Sequence, residues 1–288
     1  MLASYGGQGT GNTARRRHDC PPTTLEPMRI ARFTTGDEPR YAVVDGEPGN
    51  EELVVLTGDP MYTPGEVTDE RIKLTDEVRL LAPVIPRSKA ICLGKNYEAH
   101  AKEIPHRGPA SEVPIIFLKP NTAVIGPDDP IVLPSYSEDV QLEAELAVVI
   151  GRLCKDVAPE HAEQYIYGYT CANDVTARDL QRAEDQWFRA KAFDTSLPLG
   201  PWIETDLDTD DAVISSRING ELTQNGNTKD MIRDVAHAVS MASEVTTLLP
   251  GDVILTGTPS GVTKLNHADI VEIEIEGLGV LRNPVIRR

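Results

Sequence analysis

Two glutamates, Glu143 and Glu145, lie two residues apart in the apolar run QLEAELAVVIG. Residues i and i+2 of a β-strand point to the same face of the sheet, about 6.5–7 Å apart along the chain. The flanking leucines and AVVIG indicate a buried strand, in which unpaired carboxylates would be costly. A hard cation held between the two carboxylates would remove that cost. The alternative is a solvated or structural pair, which is common for an isolated Glu-x-Glu.

A third carboxylate, Asp174, closes the strand-like segment YGYTCAND. A carboxylate at this point is often only a helix N-cap or a turn residue. Three carboxylates at strand ends, with no cluster of histidine or cysteine beside them, favour an oxygen-loving ion over zinc. If Glu143, Glu145 and Asp174 hold an ion together, we expect it to be Mg²⁺ or Mn²⁺.

The segment GKNYEAHAKE carries His100 and Glu103 at a spacing that places both on one face of a helix. A carboxylate in that position can orient an imidazole and raise its basicity, as general acid–base catalysis requires. The alternative is a solvated ion pair on a short helix. The following IPHRGPASEVP has the composition of a mobile loop, so we predict a lid over about 100–113 that closes on substrate.

Further polar residues could bind an anionic substrate, although each is a weak signal because surface Lys and Arg are usually only solvated. The Thr258 position lies in TGTPSG, a tight turn that also offers backbone N–H groups. The candidates are Lys119 in FLKP, Arg178 and Gln181 in TARDLQ, Lys191 in RAKAFDTS, and Thr258.

The chain of 288 residues has a formal net charge of −17. This charge argues against a nucleic-acid partner and against an anionic membrane surface. No apolar run approaches the roughly 20 residues that cross a bilayer, so a membrane protein is not expected. The four cysteines show no CxxC or ligand-like spacing and are interpreted as reduced packing residues. We therefore expect a cytoplasmic protein.

Composition divides the chain into three parts. Residues 1–27 are rich in Gly, Thr and Pro, and we interpret them as a disordered leader or an artificially added tail. Residues 28–86 contain short β-type runs separated by Asp-Gly and Gly-Asp turns, which predict a small β-rich N-terminal domain. Residues 87–288 contain all the candidate chemical groups and are expected to form the catalytic domain.

Strand patterns outnumber helical ones and do not alternate with them, so a mainly β fold with some α is predicted rather than a doubly wound parallel sheet. RINGELTQ carries an Asn-Gly pair between two strand-like arms, which predicts a hairpin. The helical candidates are YEAHAKE, the region of APEHAEQYI, TARDLQRAEDQ and TKDMIRDVAHAVSMASEV.

Seven motifs in order resemble the fumarylacetoacetate hydrolase (FAH) family over about 88–262: GKNYEAHAKE, IIFLKP, EAELAVVIG, YGYTCANDVTARDLQ, KAFDTSLPLGPW, INGELTQNGNT and LLPGDVILTGTPSGV. The resemblance implies a mixed β-roll catalytic domain, a divalent metal and a homodimer. One departure is SGVTKLN, where many relatives have a further Gly after the Val.

Carried onto this chain, the resemblance assigns the metal carboxylates to Glu143, Glu145 and Asp174. It assigns the catalytic dyad to His100 and Glu103, the substrate-binding lysine to Lys191, and further pocket positions to Gln181 and Thr258.

A small 2-oxo acid could chelate the ion, and the ion would then stabilise an enolate as a Lewis acid. We favour decarboxylation of oxaloacetate to pyruvate, because the chain has one catalytic domain and a short N-terminal unit. The alternatives are an acylpyruvate or fumarylpyruvate hydrolase, in which His100 with Glu103 activates water and Lys191 meets the oxyanion, and a 2-hydroxyhepta-2,4-diene-1,7-dioate isomerase-type enzyme. The alternative of another class is a catalytically silent binder of metal or oxo acid.

Overall fold

The structure is a computed structural model that describes residues 27–63, 65–103 and 115–287. Its strands are β1 Arg29–Thr34, β2 Arg40–Asp45, β3 Glu52–Leu56, β4 Val67–Lys73, β5 Arg79–Leu81, β6 Ala90–Gly94, β7 Ile115–Lys119, β8 Val124–Ile125, β9 Ile131–Leu133, β10 Val140–Gln141, β11 Ala144–Ile150, β12 Ile166–Asn173, β13 Thr176–Ala177, β14 Leu197–Glu204, β15 Val213–Ile218, β16 Glu221–Asn227, β17 Val253–Leu255, β18 Ile270–Ile275 and β19 Gly279–Arg287. The helices are α1 Glu98–Glu103, α2 Arg178–Ala183, α3 Phe188–Lys191 and α4 Val235–Val245, with 3-10 helices at Asn121–Ala123, Pro159–Tyr165 and Thr228–Asp230. The predicted leader, apart from its last position, lies outside the described residues.

Within the described ranges the strands form sheets of 12, 5 and 2 strands. The path of the large sheet is β4-β3-β2-β1-β14-β12-β11-β17-β6-β7, with β5 and β8 attached beside it, and the smaller sheet runs β16-β15-β18-β19-β9. Most neighbours are antiparallel, but β17 with β6, β19 with β9 and β14 with β8 are parallel. The prediction of a mainly β, mixed-sheet fold is confirmed.

Strand β11 lies in the middle of the large sheet and is buried along its whole length. Leu146, Val148 and Ile150 enter one hydrophobic cluster, which includes residues of α4 and of the five-stranded sheet. Ala147 and Val149 enter a second cluster on the opposite face. This alternation follows from the two-residue period of a strand. It also places Glu145 on the same face as Ala147, at the end of the strand where the apolar cluster stops.

The N-terminal strands continue the large sheet. Strand β1 pairs with β14 through Arg29 with Glu204 and Ile30 with Ile203. Trp202 of β14 packs into the hydrophobic cluster that is otherwise formed by the N-terminal strands, with Phe33 and Leu53 among its members. The proposed boundary near residue 86 therefore divides one sheet rather than two, and its position stays a prediction.

The predicted hairpin is present in the structure, whereas the predicted helices are only partly formed. The hairpin of β15 and β16 turns at Asn219 and Gly220, whose φ angles of 53° and 82° are the left-handed values that an Asn-Gly turn adopts. The helical candidates form shorter elements than predicted: APEHAEQYI becomes a 3-10 helix, and only 235–245 of the last candidate is α-helical. Among the described helices, none is long and apolar enough to cross a membrane.

Candidate metal centre

Three buried carboxylates converge at one end of β11 and β12. Glu143 immediately precedes β11, Glu145 is its second residue, and Asp174 directly follows β12. The antiparallel register places Ala144 opposite Asn173, and the Asp174 N–H donates to the Glu143 carbonyl at 2.9 Å. One carboxylate oxygen from each residue lies within 4.8 Å of the other two. All three residues are at most 3% exposed.

Buried cations surround two of these carboxylates. Lys191 Nζ donates to Glu143 Oε2 at 2.7 Å and to Asp174 Oδ2 at 2.6 Å. The Arg178 guanidinium forms a short ion pair with Glu143 Oε1 and donates from Nε to Gln141 Oε1 at 2.9 Å. These contacts hold the pKa of Glu143 below its ordinary value although burial opposes ionisation, with Lys191 making the largest favourable contribution.

Glu145 is different, because it forms no ion pair with a described cation. Its one hydrogen bond within the described residues comes from the Gly257 N–H to Oε2 at 2.7 Å. Burial, followed by the negative charges of Asp174 and Glu143, raises its pKa well above the ordinary value. In addition, Asp174 Oδ1 lies 2.9 Å from Lys119 Nζ but accepts no hydrogen bond of acceptable geometry from a described donor.

These under-satisfied oxygens fit a divalent cation. Buried charges need a partner, and carboxylate oxygens are the ligands that Mg²⁺ and Mn²⁺ prefer. No other group of at least three possible His, Cys, Asp or Glu ligands occurs in the described part of the chain. Glu143, Glu145 and Asp174 are therefore the residues that could hold such an ion.

Helix α1 carries the histidine–glutamate pair beside this centre. His100 Nδ1 lies 3.4 Å from Glu103 Oε2, and the His100 side chain is 8% exposed. The Gly261 N–H donates to both Glu103 oxygens at 3.2 and 3.1 Å. The hydrogen bond from His100, aided by Gly261, lowers the pKa of Glu103, so the carboxylate is held ionised next to the imidazole. The predicted lid beyond Glu103 lies outside the described residues.

The structure brings most of the predicted site residues to one cavity of about 40 Å³, which is larger than one water molecule needs. Predicted residues that line it are His100, Glu143, Glu145, Asp174, Arg178, Gln181, Lys191 and Thr258. Leu93, Gly94, Lys95, Phe117, Arg182 and Trp187 complete the lining.

Lys119 does not line this cavity. Its ammonium group is fully buried and donates to the Ser196 carbonyl at 2.8 Å and the Ser196 hydroxyl at 3.0 Å, in addition to facing Asp174. It thus lies behind Asp174, where it supports that carboxylate. Its role in substrate binding stays a prediction that this position does not favour.

Two buried amides hold the site together, and neither was among the sequence candidates. Asn96 Nδ2 donates to the carbonyls of Arg233 and Thr256 at 2.8 and 2.7 Å, and Asn96 Oδ1 accepts from the Arg233 N–H at 2.9 Å. It therefore ties the chain before α1 to the turn after β17. Its place within the motif GKNYEAHAKE was the only signal in the sequence.

Gln224 of β16 is the second amide. Its Nε2 donates to Thr258 Oγ1 and to the Pro259 carbonyl, both at 2.8 Å, and its Oε1 accepts from the Ala144 N–H at 2.9 Å. Gln224 thereby fixes the Thr258 hydroxyl relative to the start of β11.

In the divergent turn SGVTKLN, the Thr263 hydroxyl donates to the Gly261 carbonyl at 2.9 Å and the Thr263 carbonyl accepts from the Leu142 N–H at 3.1 Å.

Comparisons with known proteins identify the family to which the chain is related. Residues 89–286 match the family model described as fumarylacetoacetate (FAA) hydrolase C-terminal, and residues 28–83 match Rv2993c-like, N-terminal. The chain is 48% identical over 267 residues to protein Rv2993c of Mycobacterium tuberculosis, covering 91% of this chain and 99% of that protein. It is 41% identical over 290 residues to the mitochondrial oxaloacetate tautomerase fahd2 of Xenopus laevis, covering 90% of each.

Solved structures give the same result. A 2-hydroxyhepta-2,4-diene-1,7-dioate isomerase from Mycobacterium marinum superposes with a TM-score of 0.82 at 46% identity, over 91% of this chain and 99% of that one. A fumarylpyruvate hydrolase from Pseudomonas aeruginosa, solved in complex with Mn²⁺ and pyruvate, superposes with a TM-score of 0.66 at 32% identity, over 75% and 94% of the two chains. This chain belongs to the fumarylacetoacetate hydrolase family.

Proposed function

We propose that the protein is a divalent-metal-dependent enzyme that interconverts the keto and enol forms of oxaloacetate. The observation that carries this proposal is the convergence of two proton-carrying groups, His100 and Lys191, on the cavity that also contains the three carboxylates. Relatives named oxaloacetate tautomerase support the choice of substrate. Mg²⁺ or Mn²⁺ held by Glu143, Glu145 and Asp174 would act as a Lewis acid toward the 2-oxo and carboxylate oxygens.

The protein groups would perform the proton transfer. Keto–enol exchange removes a proton from C3 and delivers one to the 2-oxo oxygen, and it consumes no water. The His100 imidazole, oriented by ionised Glu103, would take the C3 proton. The Lys191 ammonium would stabilise the negative charge that develops on the 2-oxo oxygen and would donate the proton which that oxygen receives. His100 and Lys191 would then regain their starting protonation by exchange with solvent.

The cationic residues at the cavity favour tautomerisation over loss of CO₂. Lys95 and Arg182 line the cavity with Arg178, whereas decarboxylation proceeds best when the departing carboxylate is not stabilised by a cation. A bound C4 carboxylate facing such residues would be held in place, because an ion pair lowers the energy of the bound carboxylate.

Decarboxylation of oxaloacetate to pyruvate remains the second candidate. Phe117 and Trp187 form an apolar wall of the same cavity, with ring centroids 5.4 Å apart. A β-carboxylate placed against that wall would lose solvation, and desolvation destabilises its charge. Whether the C4 carboxylate meets this wall or the cations decides between the two reactions.

The test uses protein stripped with EDTA and reloaded with Mn²⁺ or Mg²⁺. Metal-dependent decay of the ultraviolet absorbance of enol-oxaloacetate, with no pyruvate formed in a lactate dehydrogenase assay, is the expected result. Stoichiometric pyruvate would instead support the decarboxylase. Turnover of acetylpyruvate or fumarylpyruvate would indicate a hydrolase, and no turnover of any of these would leave a silent binder.

A matched pair of variants links the activity to the site. Glu103→Gln should reduce turnover strongly, because the ionised partner of His100 is lost. Glu98→Gln changes the same helix at an exposed residue that pairs with Lys102 at 2.9 Å, and it should leave turnover unchanged. Equal activity of both variants would contradict the role of the dyad. We also propose a homodimer, which light scattering of the purified protein tests.

A further inference from the structure

A second cavity, of about 200 Å³, lies where the N-terminal strands meet the catalytic sheet. It is lined by Arg32 of β1, Tyr41 of β2, Tyr167 of β12 and the loop residues Tyr62 and Arg87. Tyr167 and Asp174 lie toward opposite ends of β12, seven residues or roughly 23 Å apart along an extended strand. This cavity is therefore separate from the metal centre.

Two arginines give the cavity its charge. Arg87 lies over the ring of Tyr62, with Cζ 3.6 Å from the ring centroid, and Arg32 Nη1 has only a long contact of 3.4 Å to the Ala82 carbonyl. Neither guanidinium forms an ion pair with a carboxylate of the described residues. Several other arginines of this acidic chain do form such pairs, for example Arg40 with Glu70 at 3.0 Å. Guanidinium groups without a carboxylate partner are suited to bind an external anion.

One carboxylate, that of Asp59, also lines the cavity. Asp59 Oδ1 accepts from the Met61 N–H at 3.0 Å. Burial, and then the charge of Asp59, raise the pKa of Tyr41 to about 12, so this hydroxyl stays protonated and adds no negative charge to the cavity. The lining thus carries two positive charges and one negative charge, and the net charge is that of a site for one anionic group.

The remaining walls are apolar and firmly placed. Ile30, Val84 and Ile203 line the cavity and are 2%, 6% and 1% exposed. The Tyr62 hydroxyl donates to the Pro250 carbonyl at 2.9 Å. This hydrogen bond fixes the Tyr62 ring, over which the Arg87 guanidinium lies. The volume is below the roughly 300–1,000 Å³ of sites for drug-sized ligands, so the ligand must be small.

We propose that this cavity is a second binding site, for a small organic acid whose carboxylate faces Arg32 and Arg87 and whose apolar body contacts Ile30, Val84 and Ile203. This site does not depend on the proposed reaction. It can be tested by binding alone, with the metal centre already filled.

The experiment is isothermal titration of benzoate into the full-length protein in the presence of Mn²⁺ and saturating oxalate, which is offered to the metal centre. We expect saturable binding with a Kd in the millimolar range or tighter. Benzamide, which has the same shape without the charge, should bind at least tenfold more weakly. Absence of saturable benzoate binding, or equal binding of benzamide, would overturn the proposal.

Variants identify the cavity as the place of binding. Arg32→Gln and Arg87→Gln should each weaken benzoate binding at least tenfold, while Arg71→Gln, which removes an exposed arginine of β4 located 3.9 Å from Asp45, should not. Arg87 is exposed, so its variant should fold even if Arg32→Gln does not; circular dichroism melts check both. Unchanged benzoate affinity in a folded Arg87→Gln variant would refute the assignment.

Discussion

Replacement of Lys191 by Met tests how the metal centre is balanced. The ammonium group of Lys191 bridges Glu143 and Asp174, and its side chain is 3% exposed. Asp174 and Glu143 also raise the pKa of Lys191 although burial opposes the charge, so the residue is a cation in the folded protein. Met keeps most of the volume and removes the charge, which leaves two buried carboxylates with fewer partners.

The expected loss of stability is large in the absence of metal. Removing one partner of a buried ion pair costs about 3–5 kcal/mol. For a chain of this size 1 kcal/mol shifts Tm by roughly 2–4 °C, so the metal-free variant should melt roughly 6–20 °C below the parent.

Metal should reverse much of this loss. Lys191 occupies oxygens that could bind the ion, and each charge-assisted hydrogen bond that must be displaced is worth about 1.5–3 kcal/mol. We therefore expect Mn²⁺ to bind Lys191→Met at least tenfold more tightly than the parent. At 100 times Kd a ligand adds about 2.7 kcal/mol, so the difference in Tm should shrink in the metal series.

Thermal melts and titration calorimetry, each with EDTA and with graded Mn²⁺, measure both effects. Lys229→Met is the matched control, because Lys229 forms an exposed pair with Asp211 and touches no site carboxylate; its Tm and its metal affinity should equal those of the parent. A metal-free Lys191→Met protein that melts with the parent, or that binds Mn²⁺ more weakly, would refute this account of the centre.

Three further outcomes are expected. Burial and two neighbouring carboxylates raise the pKa of Glu145, so the metal-free protein should lose stability as the pH rises from the ordinary pKa of 4.5 to the raised pKa of the folded protein. The apparent Mn²⁺ affinity should rise over the same pH range. Glu145→Gln should remove both trends in pH-dependent melts and calorimetry. Asn96→Ala removes three hydrogen bonds at about 0.5–1.5 kcal/mol each, so urea unfolding should show a loss of about 1.5–4.5 kcal/mol and amide exchange should increase in α1; exchange unchanged from the parent would argue against this tie. His100→Ala should lower kcat by about 10²–10⁴. The Mn²⁺ affinity should change little, because the ion would be held by Glu143, Glu145 and Asp174. A matching fall in Mn²⁺ affinity would instead make His100 a metal ligand.

The carboxylates could be predicted because the relevant information is local. The two-residue period of the extended chain at the start of β11 places Glu143 and Glu145 on one face. The end of the strand pattern YGYTCAN places Asp174 just beyond β12. The His100–Glu103 pair follows equally from the helical spacing of three residues.

Contacts between distant parts of the chain could not be predicted in this way. Lys119 was expected at the substrate, but its neighbours include Ser196, which lies 77 residues away in sequence. Gln224 contacts Ala144 across 80 residues. Strand β14 is not recognisable from the sequence, because Gly and Pro in LPLGPWIE weaken its strand pattern, although every residue but the last is buried.

The pairing of β1 with β14 limits how far the chain can be shortened from its N-terminal side. A protein that starts at residue 87 would leave the backbone donors and acceptors of Ile203 and Glu204 without their partners in β1. It would also uncover Trp202, which is 8% exposed in the intact chain. An uncovered strand edge beside an apolar side chain is a template for pairing with other molecules. We therefore expect the N-terminal strands to prevent aggregation by covering this edge of the sheet. A shortened catalytic fragment should be recovered mainly as insoluble protein.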